Sequence, residues 1–216
     1  MLNYLELCLV KFTKKLSIIF CSLTTALLHT AVITNTYKSA AQAEGAELIT
    51  NGGFENDGLV DPNNPNATNP NLTGWVKTGD PIDTSGTRID NFSNTGNQGL
   101  SLGGFSAISY ISQTIPTVVD QYYKLTYYFA STEEAPDLKN KFKVFVGGKK
   151  VCKKKDTSYQ PYTQYTFYFK AKATSTEIKF GSRAKYAFLY LDDVSVKSTD
   201  QQGENSQCDQ IDDGDE

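Results

Sequence analysis

The sequence is poor in the residues on which many catalytic sites depend. It has one histidine, one tryptophan and one methionine in 216 residues, and His29 lies ahead of the part that resembles a folded domain. Catalytic triads, cysteine–histidine pairs and histidine-bound metals are therefore excluded for that domain. Carboxylate chemistry remains, but Asp192 and Asp193 are adjacent, and adjacent strand residues point to opposite faces. We expect no enzyme.

Cysteine is also scarce, with four residues, two of which lie in the first 43. Residues 1–43 have the pattern of an export signal, in which basic residues precede an apolar run over 16–33 and Ala41-Gln42-Ala43 gives a small-x-small cleavage site. An uncleaved membrane anchor is the alternative, but the run is polar for a stable span. We expect cleavage, no membrane span afterwards, and a secreted protein that is extracellular or on the cell surface.

Export leaves two cysteines, Cys152 and Cys208. The exterior of a cell is oxidising, so we expect them to form a disulfide. Two free thiols or a bridge between two chains are the alternatives.

Charge divides the remaining chain into two parts. Residues 44–197 carry 17 basic and 16 acidic side chains, whereas residues 198–216 carry seven acids and no base. The segment 198–216 also lacks an apolar period, which is typical of a disordered acidic tail.

A lysine cluster has three interpretations. It can be a solvated hairpin tip, a nucleic-acid site or a site for an acidic polysaccharide. Because the chain is predicted to be exported and its isoelectric point is acidic, about 5.3, we expect no nucleic-acid partner. The cluster consists of Lys149, Lys150, Lys153, Lys154 and Lys155.

Apolar and polar residues alternate along several short segments. The apolar row Tyr123, Leu125, Tyr127 and Phe129 is the strongest, and similar rows follow around residues 142–146 and 165–169. Alternation of this kind is typical of half-buried antiparallel strands. Gly147-Gly148 suits a tight hairpin turn. The pattern predicts an all-β domain at 44–197, folded as a two-sheet antiparallel β-sandwich.

Four motifs resemble a known family. They are Asn51-Gly52-Gly53-Phe54-Glu55, Gly74-Trp75, Ile111-Ser112-Gln113-Thr114 and Asp192-Asp193-Val194. Over residues 47–197 the chain resembles the galactose-binding-like β-jelly rolls of carbohydrate-binding modules, and most closely their secreted, cell-wall-associated branch of unknown function. The resemblance implies a jelly-roll topology. Residues 185–188 lack the Cys-Gly that this branch often has there, so no disulfide pattern is carried over.

The two ends of the domain are acidic and are expected to meet if its first and last strands are neighbours. Glu55, Asp192 and Asp193 would supply carboxylates, and Gly52 a carbonyl oxygen, which are the ligands that calcium prefers. The resemblance implies a structural ion that ties the termini together, away from the sugar. The alternative is a solvated acid and an aspartate that caps a turn.

Aromatic residues are the candidates for ligand contact. Tyr122, Tyr128 and Tyr168 fall opposite the apolar rows, whereas Tyr110 is less easily placed. Trp75 is either a stacking platform for a sugar or a core residue, and the resemblance favours the core. We expect a non-catalytic domain that binds a polysaccharide or other glycan of cell surface, wall or matrix. The alternative is a structural or adhesive protein that binds another protein through the tyrosines.

Overall fold

The computed structural model describes residues 45–59, 69, 71–79, 86–132, 134, 139–184 and 188–208. These residues contain strands and no helix, and none lies in a helix that could cross a membrane. The predicted export signal, residues 1–43, lies outside the described residues. The strands are β1 (Val76–Gly79), β2 (Arg88–Asp90), β3 (Gly99–Leu102), β4 (Ser109–Pro116), β5 (Tyr122–Ser131), β6 (Lys141–Val146), β7 (Lys149–Lys155), β8 (Gln160–Lys170), β9 (Ser175–Arg183) and β10 (Leu189–Thr199).

The strands form two antiparallel sheets of five. One has the order β1-β4-β9-β6-β7 and the other β2-β3-β10-β5-β8. The chain crosses repeatedly from one sheet to the other, which is why sequence neighbours such as β4 and β5, or β9 and β10, lie in different sheets. This confirms the predicted all-β, two-sheet antiparallel sandwich of the jelly-roll type.

Aromatic rings from both sheets fill the core. Tyr127 and Phe129 of β5 are fully buried, and Phe129 stacks on Phe142 of β6 with 4.4 Å between the ring centroids. Tyr127 meets Phe180 of β9 edge-on at 5.3 Å. The apolar residues of the alternating segments therefore point into this core, and the polar residues between them lie on the outer face of each sheet.

The hairpin between β6 and β7 forms as predicted. Gly147 and Gly148 have φ angles of 55° and 79°. Both lie in the left-handed region, which a two-residue hairpin loop requires and which glycine adopts without strain.

Residues 47–50, at the start of the domain, do not form the first strand that was expected. They nevertheless lie next to the last strand, as predicted. Residues 47–50 run beside the end of β10, where the Leu48 N–H donates to the Val196 carbonyl at 3.0 Å. In return the Val196 N–H donates to a carboxylate oxygen of Glu47 at 2.9 Å. A side chain thus takes the place of a backbone carbonyl, so the two ends meet without a strand ladder.

The tail prediction is wrong for its first part. β10 continues to Thr199, beyond the predicted boundary at Lys197. Farther on, the Ser206 N–H donates to the Thr166 carbonyl of β8 at 2.8 Å, and Asn205 accepts the N–H of Tyr168 at 2.7 Å. The open edge of β8 offers these backbone groups, which composition alone does not reveal. Residues 209–216 lie outside the described residues.

The predicted disulfide between Cys152 and Cys208 is present, with 5.3 Å between the two Cα atoms. Cys152 is on β7 of one sheet, and Cys208 ends the segment that lies along β8 of the other. The bond therefore ties the two sheets together at one edge of the sandwich.

Candidate functional site

The acidic residues at the two ends of the domain, Glu55 and Asp192-Asp193, accept hydrogen bonds from the segment 94–98, which precedes β3. Asp192 is fully buried, and its Oδ2 accepts the N–H groups of Asn94 at 2.7 Å and Thr95 at 3.2 Å. Its Oδ1 accepts the N–H of Asp193 at 2.7 Å. Burial raises the pKa of Asp192 to about 6, although these N–H donors oppose the shift.

The other two acids hold the same segment. Asp193 accepts hydrogen bonds from the Asn94 amide and the Thr95 hydroxyl, both at 2.7 Å. Glu55 Oε1 accepts the N–H groups of Asn97 at 2.7 Å and Gln98 at 2.8 Å. The predicted convergence of acids is therefore real, and its visible result is a loop fixed by carboxylates.

Hydrogen bonds engage several oxygens of these acids. N–H donors are directed at both oxygens of Asp192 and at Oε1 of Glu55. Gly52 lies so close to Val194 that a Cβ would overlap its carbonyl oxygen, and the Gly52 carbonyl accepts the Val194 N–H at 3.0 Å. Within the described ranges, no three His, Cys, Asp or Glu side chains are grouped closely enough to hold a metal. Calcium stays a prediction of the sequence.

Trp75 is a core residue and not a stacking platform. It is 5% exposed, lies between the rings of Phe54 and Phe180 at 5.9 and 6.1 Å, and donates its indole N–H to the Asn51 carbonyl at 3.1 Å. A ring enclosed in this way offers no face to a sugar, so its inclusion among the ligand-binding candidates is wrong.

The tyrosine face consists of Tyr122, Tyr128 and Tyr168 on the outer side of β5 and β8. All three are half-buried. Their neighbours in the apolar rows are buried, as the alternation predicted, except Phe169, which is half-buried near the end of β8. They do not form a continuous platform. Tyr122 and Tyr128 are six residues apart on one strand, about 20 Å. Gly203 packs so tightly on the Tyr168 ring that a Cβ there would overlap it. Tyr168 therefore holds the tail segment.

A different surface, the basic face, lies on the outer side of the β1-β4-β9-β6-β7 sheet, and Tyr110 belongs to it. Strand register arranges its side chains in rows. Lys141 is level with Lys155 on one side and Arg183 on the other. The next row contains Lys153, Lys143, Gly181 and Tyr110, and the third contains Lys150, Phe145, Lys179 and Ser112.

Two aromatic rings lie among these cations. The ring of Tyr110 covers Gly181, where a Cβ would overlap it. It meets the Phe145 ring at 6.3 Å, nearly edge-on, and the Lys179 ammonium lies 5.2 Å from its centroid. Both rings are half-buried. The absence of a side chain at Gly181 is what lets the Tyr110 ring pack against the backbone of this sheet.

One end of the basic face is a recess of about 190 Å³. Ala107 and Ile108 form one wall, and the rest consists of Lys141, Lys143, Lys153, Lys155 and Arg183. Burial lowers the pKa of Lys143, and four neighbouring lysine charges lower it further. The recess is thus a small cationic hollow beside the aromatic pair.

Sequence reasoning located only part of the basic face. It found the lysine cluster of the hairpin, but it did not join this cluster to Lys141, Lys143, Phe145 and Arg183. Those residues occupy the outward positions of their strands, and this alternation is the sequence pattern that could have indicated a shared surface. The hairpin cluster also divides, because Lys154 turns to the opposite side and lies 5.1 Å from the centroid of the Tyr165 ring.

A known protein family matches the same residues that form the sandwich. The model of a family described as "Protein of unknown function (DUF642)" matches residues 47–197. The chain belongs to this family. Among curated proteins, none matches it.

The chain aligns with solved structures from several sources. Tailspike protein 4 of bacteriophage CBA120 has a TM-score of 0.50 at 14% identity, over 71% of this chain and 21% of its own. TmCBM61 in complex with β-1,4-galactotriose has a TM-score of 0.49 at 14% identity, over 71% and 99%. The K3 cleaved adhesin domain of Lys-gingipain from Porphyromonas gingivalis has a TM-score of 0.45 at 15% identity, over 73% and 99%. The tailspike match shows a shared fold alone.

Proposed function

We propose that this member of DUF642 is an exported, non-catalytic carbohydrate-binding domain whose ligand lies on the basic face. The observation that carries the proposal is the Tyr110 ring packed against Gly181, with Phe145 beside it and polar side chains around both. Aromatic rings bordered by hydrogen-bonding groups, on the outer face of a rigid sheet, are suited to a sugar polymer.

The chemistry of a sugar fits these two kinds of group. The C–H side of a pyranose is apolar and packs on an aromatic ring, while its hydroxyl edge needs hydrogen-bond partners. On the basic face the ring of Tyr110 supplies the first. Ser112 on the same strand and Lys179 on the neighbouring strand, both one row away, supply the second. Export rests on the pattern of residues 1–43, and the motif resemblance to carbohydrate-binding modules supports the ligand class.

The acidic residues support a non-catalytic domain. Asp192 and Asp193, the pair that the sequence offered for carboxylate chemistry, have oxygens that accept hydrogen bonds from residues 94 and 95. Groups engaged in this way hold a loop and are not presented to a substrate.

A comparison of aromatic variants tests this surface. The wild-type protein, Tyr110→Ala and Tyr128→Ala would be applied to a panel of immobilised polysaccharides, and affinities for the strongest ligand measured by calorimetry. We expect Tyr110→Ala to weaken binding about tenfold, since base–aromatic stacking is worth roughly 1–3 kcal/mol and a sugar ring would use the same face of an aromatic ring. Tyr128→Ala, on the opposite sheet, should retain affinity.

Two results would contradict the proposal. If Tyr128→Ala lost affinity and Tyr110→Ala kept it, the tyrosine face would be the binding surface, as the sequence first suggested. If no polysaccharide bound the wild-type protein, carbohydrate binding itself would be wrong. Equal melting temperatures of the three proteins would show that the differences are not losses of folding.

A further inference from the structure

Four strands lie at the edges of the two sheets in the described part of the chain, and an edge strand has backbone groups that another chain can bind. β1 has four residues and β2 three, and Arg88 and Asp90 place a charge at each end of β2. β7 is longer, but five of its seven residues are lysine. Short length and charge both oppose pairing with a second chain. These three edges are therefore protected by their own residues.

The fourth edge strand, β8, differs from the other three. It has 11 residues, with Pro161 near one end and Lys170 at the other. The stretch between them, residues 162–169, reads Tyr-Thr-Gln-Tyr-Thr-Phe-Tyr-Phe and contains no charge, proline or glycine. Uncharged segments that are rich in aromatic and β-branched residues pair readily with copies of themselves. The sequence of β8 thus provides no protection for the middle of its own edge.

The tail segment, residues 200–208, covers the middle of this edge. The Ser206 N–H donates to the Thr166 carbonyl at 2.8 Å, and the Ser206 hydroxyl accepts the Thr166 N–H at 2.9 Å. The side-chain oxygen of Asn205 accepts the Tyr168 N–H at 2.7 Å. Two side-chain oxygens therefore occupy the places that backbone carbonyls of a partner strand would take.

The tail segment covers this edge without forming a new one. None of residues 200–208 lies in a strand, and residues 201–205 are exposed. The segment therefore presents no regular ladder of N–H and C=O groups to a second chain. Asp200 and Glu204 are exposed as well, so acidic groups lie beside a strand that is itself uncharged. Like charges on facing edges oppose the pairing of two copies.

The disulfide is the strongest link between the tail segment and the sandwich. The hydrogen bonds to Thr166 and Tyr168 are partly or fully exposed, where water competes for the same groups. Ordering residues 200–208 costs conformational entropy, which opposes docking. The bond from Cys208 to Cys152 reduces this cost, because it fixes the far end of the segment while β10 fixes the near end.

We propose that the tail segment shields the edge of β8 from pairing with β8 of a second copy of this chain, and that the Cys152–Cys208 bond keeps the shield in place. Displacing the segment frees the backbone groups of Thr166 and Tyr168 that it now binds. Two copies related by a two-fold axis would then pair the same strand antiparallel and join their sheets edge to edge. The partner is a second copy because the uncharged stretch 162–169 supplies both sides of this ladder.

Removal of the disulfide tests the shield. The full chain of the wild type and of Cys208→Ser would be compared by size exclusion with light scattering, over about a hundredfold range of protein concentration. We expect the wild type to stay monomeric and Cys208→Ser to double in mass as concentration rises. Denaturing electrophoresis without reductant should show single chains, because the association is not covalent. A wild type that dimerises as readily as the variant, or a variant dimer cross-linked through Cys152, would overturn the proposal.

Two lysine substitutions, each combined with Cys208→Ser, locate the interface. Gln164→Lys places a charge at an exposed position of β8, and Thr78→Lys places the same charge on β1, an edge strand of the other sheet. In two-fold pairing of β8 the lysine of one copy lies near that of the other, and like charges repel. Gln164→Lys should weaken association about tenfold, whereas Thr78→Lys should change it less than about twofold. Equal effects would show that β8 is not the interface.

Hydrogen exchange measures the shield without requiring association. The Thr166 and Tyr168 amides should exchange about tenfold faster in dilute Cys208→Ser than in the wild type, and should be protected again where the dimer forms. Asn205→Ala with Ser206→Ala keeps the disulfide and removes both side-chain acceptors, so it should also speed these two amides. This second variant decides the matter if loss of the bond unfolds the chain.

Two results of the exchange measurement would contradict the proposal. Unchanged exchange at Thr166 and Tyr168 in the folded variants would show that the tail segment does not shield this edge. Faster exchange in a Cys208→Ser chain that stays monomeric at every concentration would show that the edge opens but that a second copy is not its partner.

Discussion

The disulfide between Cys152 and Cys208 makes a large and measurable contribution to stability. The two residues are 56 apart in sequence, so the bond closes a long loop in the unfolded chain. In the chain-entropy model, a loop of this length is worth about 4 kcal/mol. That value is an upper bound, because the bond also keeps the tail segment ordered in the folded state. For a domain of this size, 1 kcal/mol shifts the melting temperature by about 2–4 °C.

The perturbation is Cys208→Ser, with thermal unfolding followed by circular dichroism and calorimetry. We expect the melting temperature to fall by about 10 °C, and reductant to lower that of the wild type but not that of the variant. A second variant, Gly203→Leu, tests the tail without cutting the bond. Its side chain would overlap the Tyr168 ring and displace the tail from β8, at a cost of about 1 kcal/mol for the exposed hydrogen bonds that are lost.

The reasoning would be refuted by a fall of less than 2 °C in Cys208→Ser with the wild type fully oxidised. It would also be refuted if non-reducing electrophoresis showed that the wild type is a disulfide-linked dimer, since the loop would then not be closed within one chain. A fall in Gly203→Leu as large as that in Cys208→Ser would assign the stability to tail docking and not to the covalent bond.

Other measurements check the core, a buried amine and the acidic ends. Trp75→Ala should cost about 3–5 kcal/mol in denaturant unfolding, because it removes a buried ring and the hydrogen bond from its indole to the Asn51 carbonyl; a loss below 1 kcal/mol would contradict its burial. Burial lowers the pKa of Lys77 to about 8, so the folded protein loses this proton before the unfolded chain does, and stability should rise as the pH rises from about 8 to about 10.5. Lys77→Met should abolish this rise, and an unchanged pH profile would refute it. Glu55→Ala should lower stability by about 2 kcal/mol through the loss of two hydrogen bonds to residues 97 and 98, a loss that chelator should not mimic. A rise in wild-type melting temperature on adding calcium, absent in Glu55→Ala, would instead show that the loop opens to admit an ion.

Alternation along single strands was a reliable guide to faces. The apolar row of β5 entered the core, and Tyr122 and Tyr128 lie on its outer side, because a strand turns each successive side chain to the opposite face. The same rule placed Phe145 and its lysine neighbours outside. Sequence also paired the two cysteines, since only two remained after the predicted export signal.

The same reasoning failed where the outcome depended on another segment. Trp75 could be a platform or a core residue in the sequence, and the nearby rings of Phe54 and Phe180 decided that it is core. Disorder was predicted from Ser198 onwards because the segment is acidic and polar. The open edge of β8 supplied hydrogen-bond partners that composition does not show.

What the sequence determined by itself is therefore local: strands, their inner and outer faces, one glycine turn and the identity of the disulfide partners. Only the tertiary structure decided which outer faces carry which chemistry. Tyr110 is 35 residues from Phe145 in the chain, and Lys143 is 40 residues from Arg183, yet strand order and register bring all four to one side of one sheet. A surface assembled from β4, β6, β7 and β9 has no signature in any single segment, because it depends on pairing between strands that are distant in sequence.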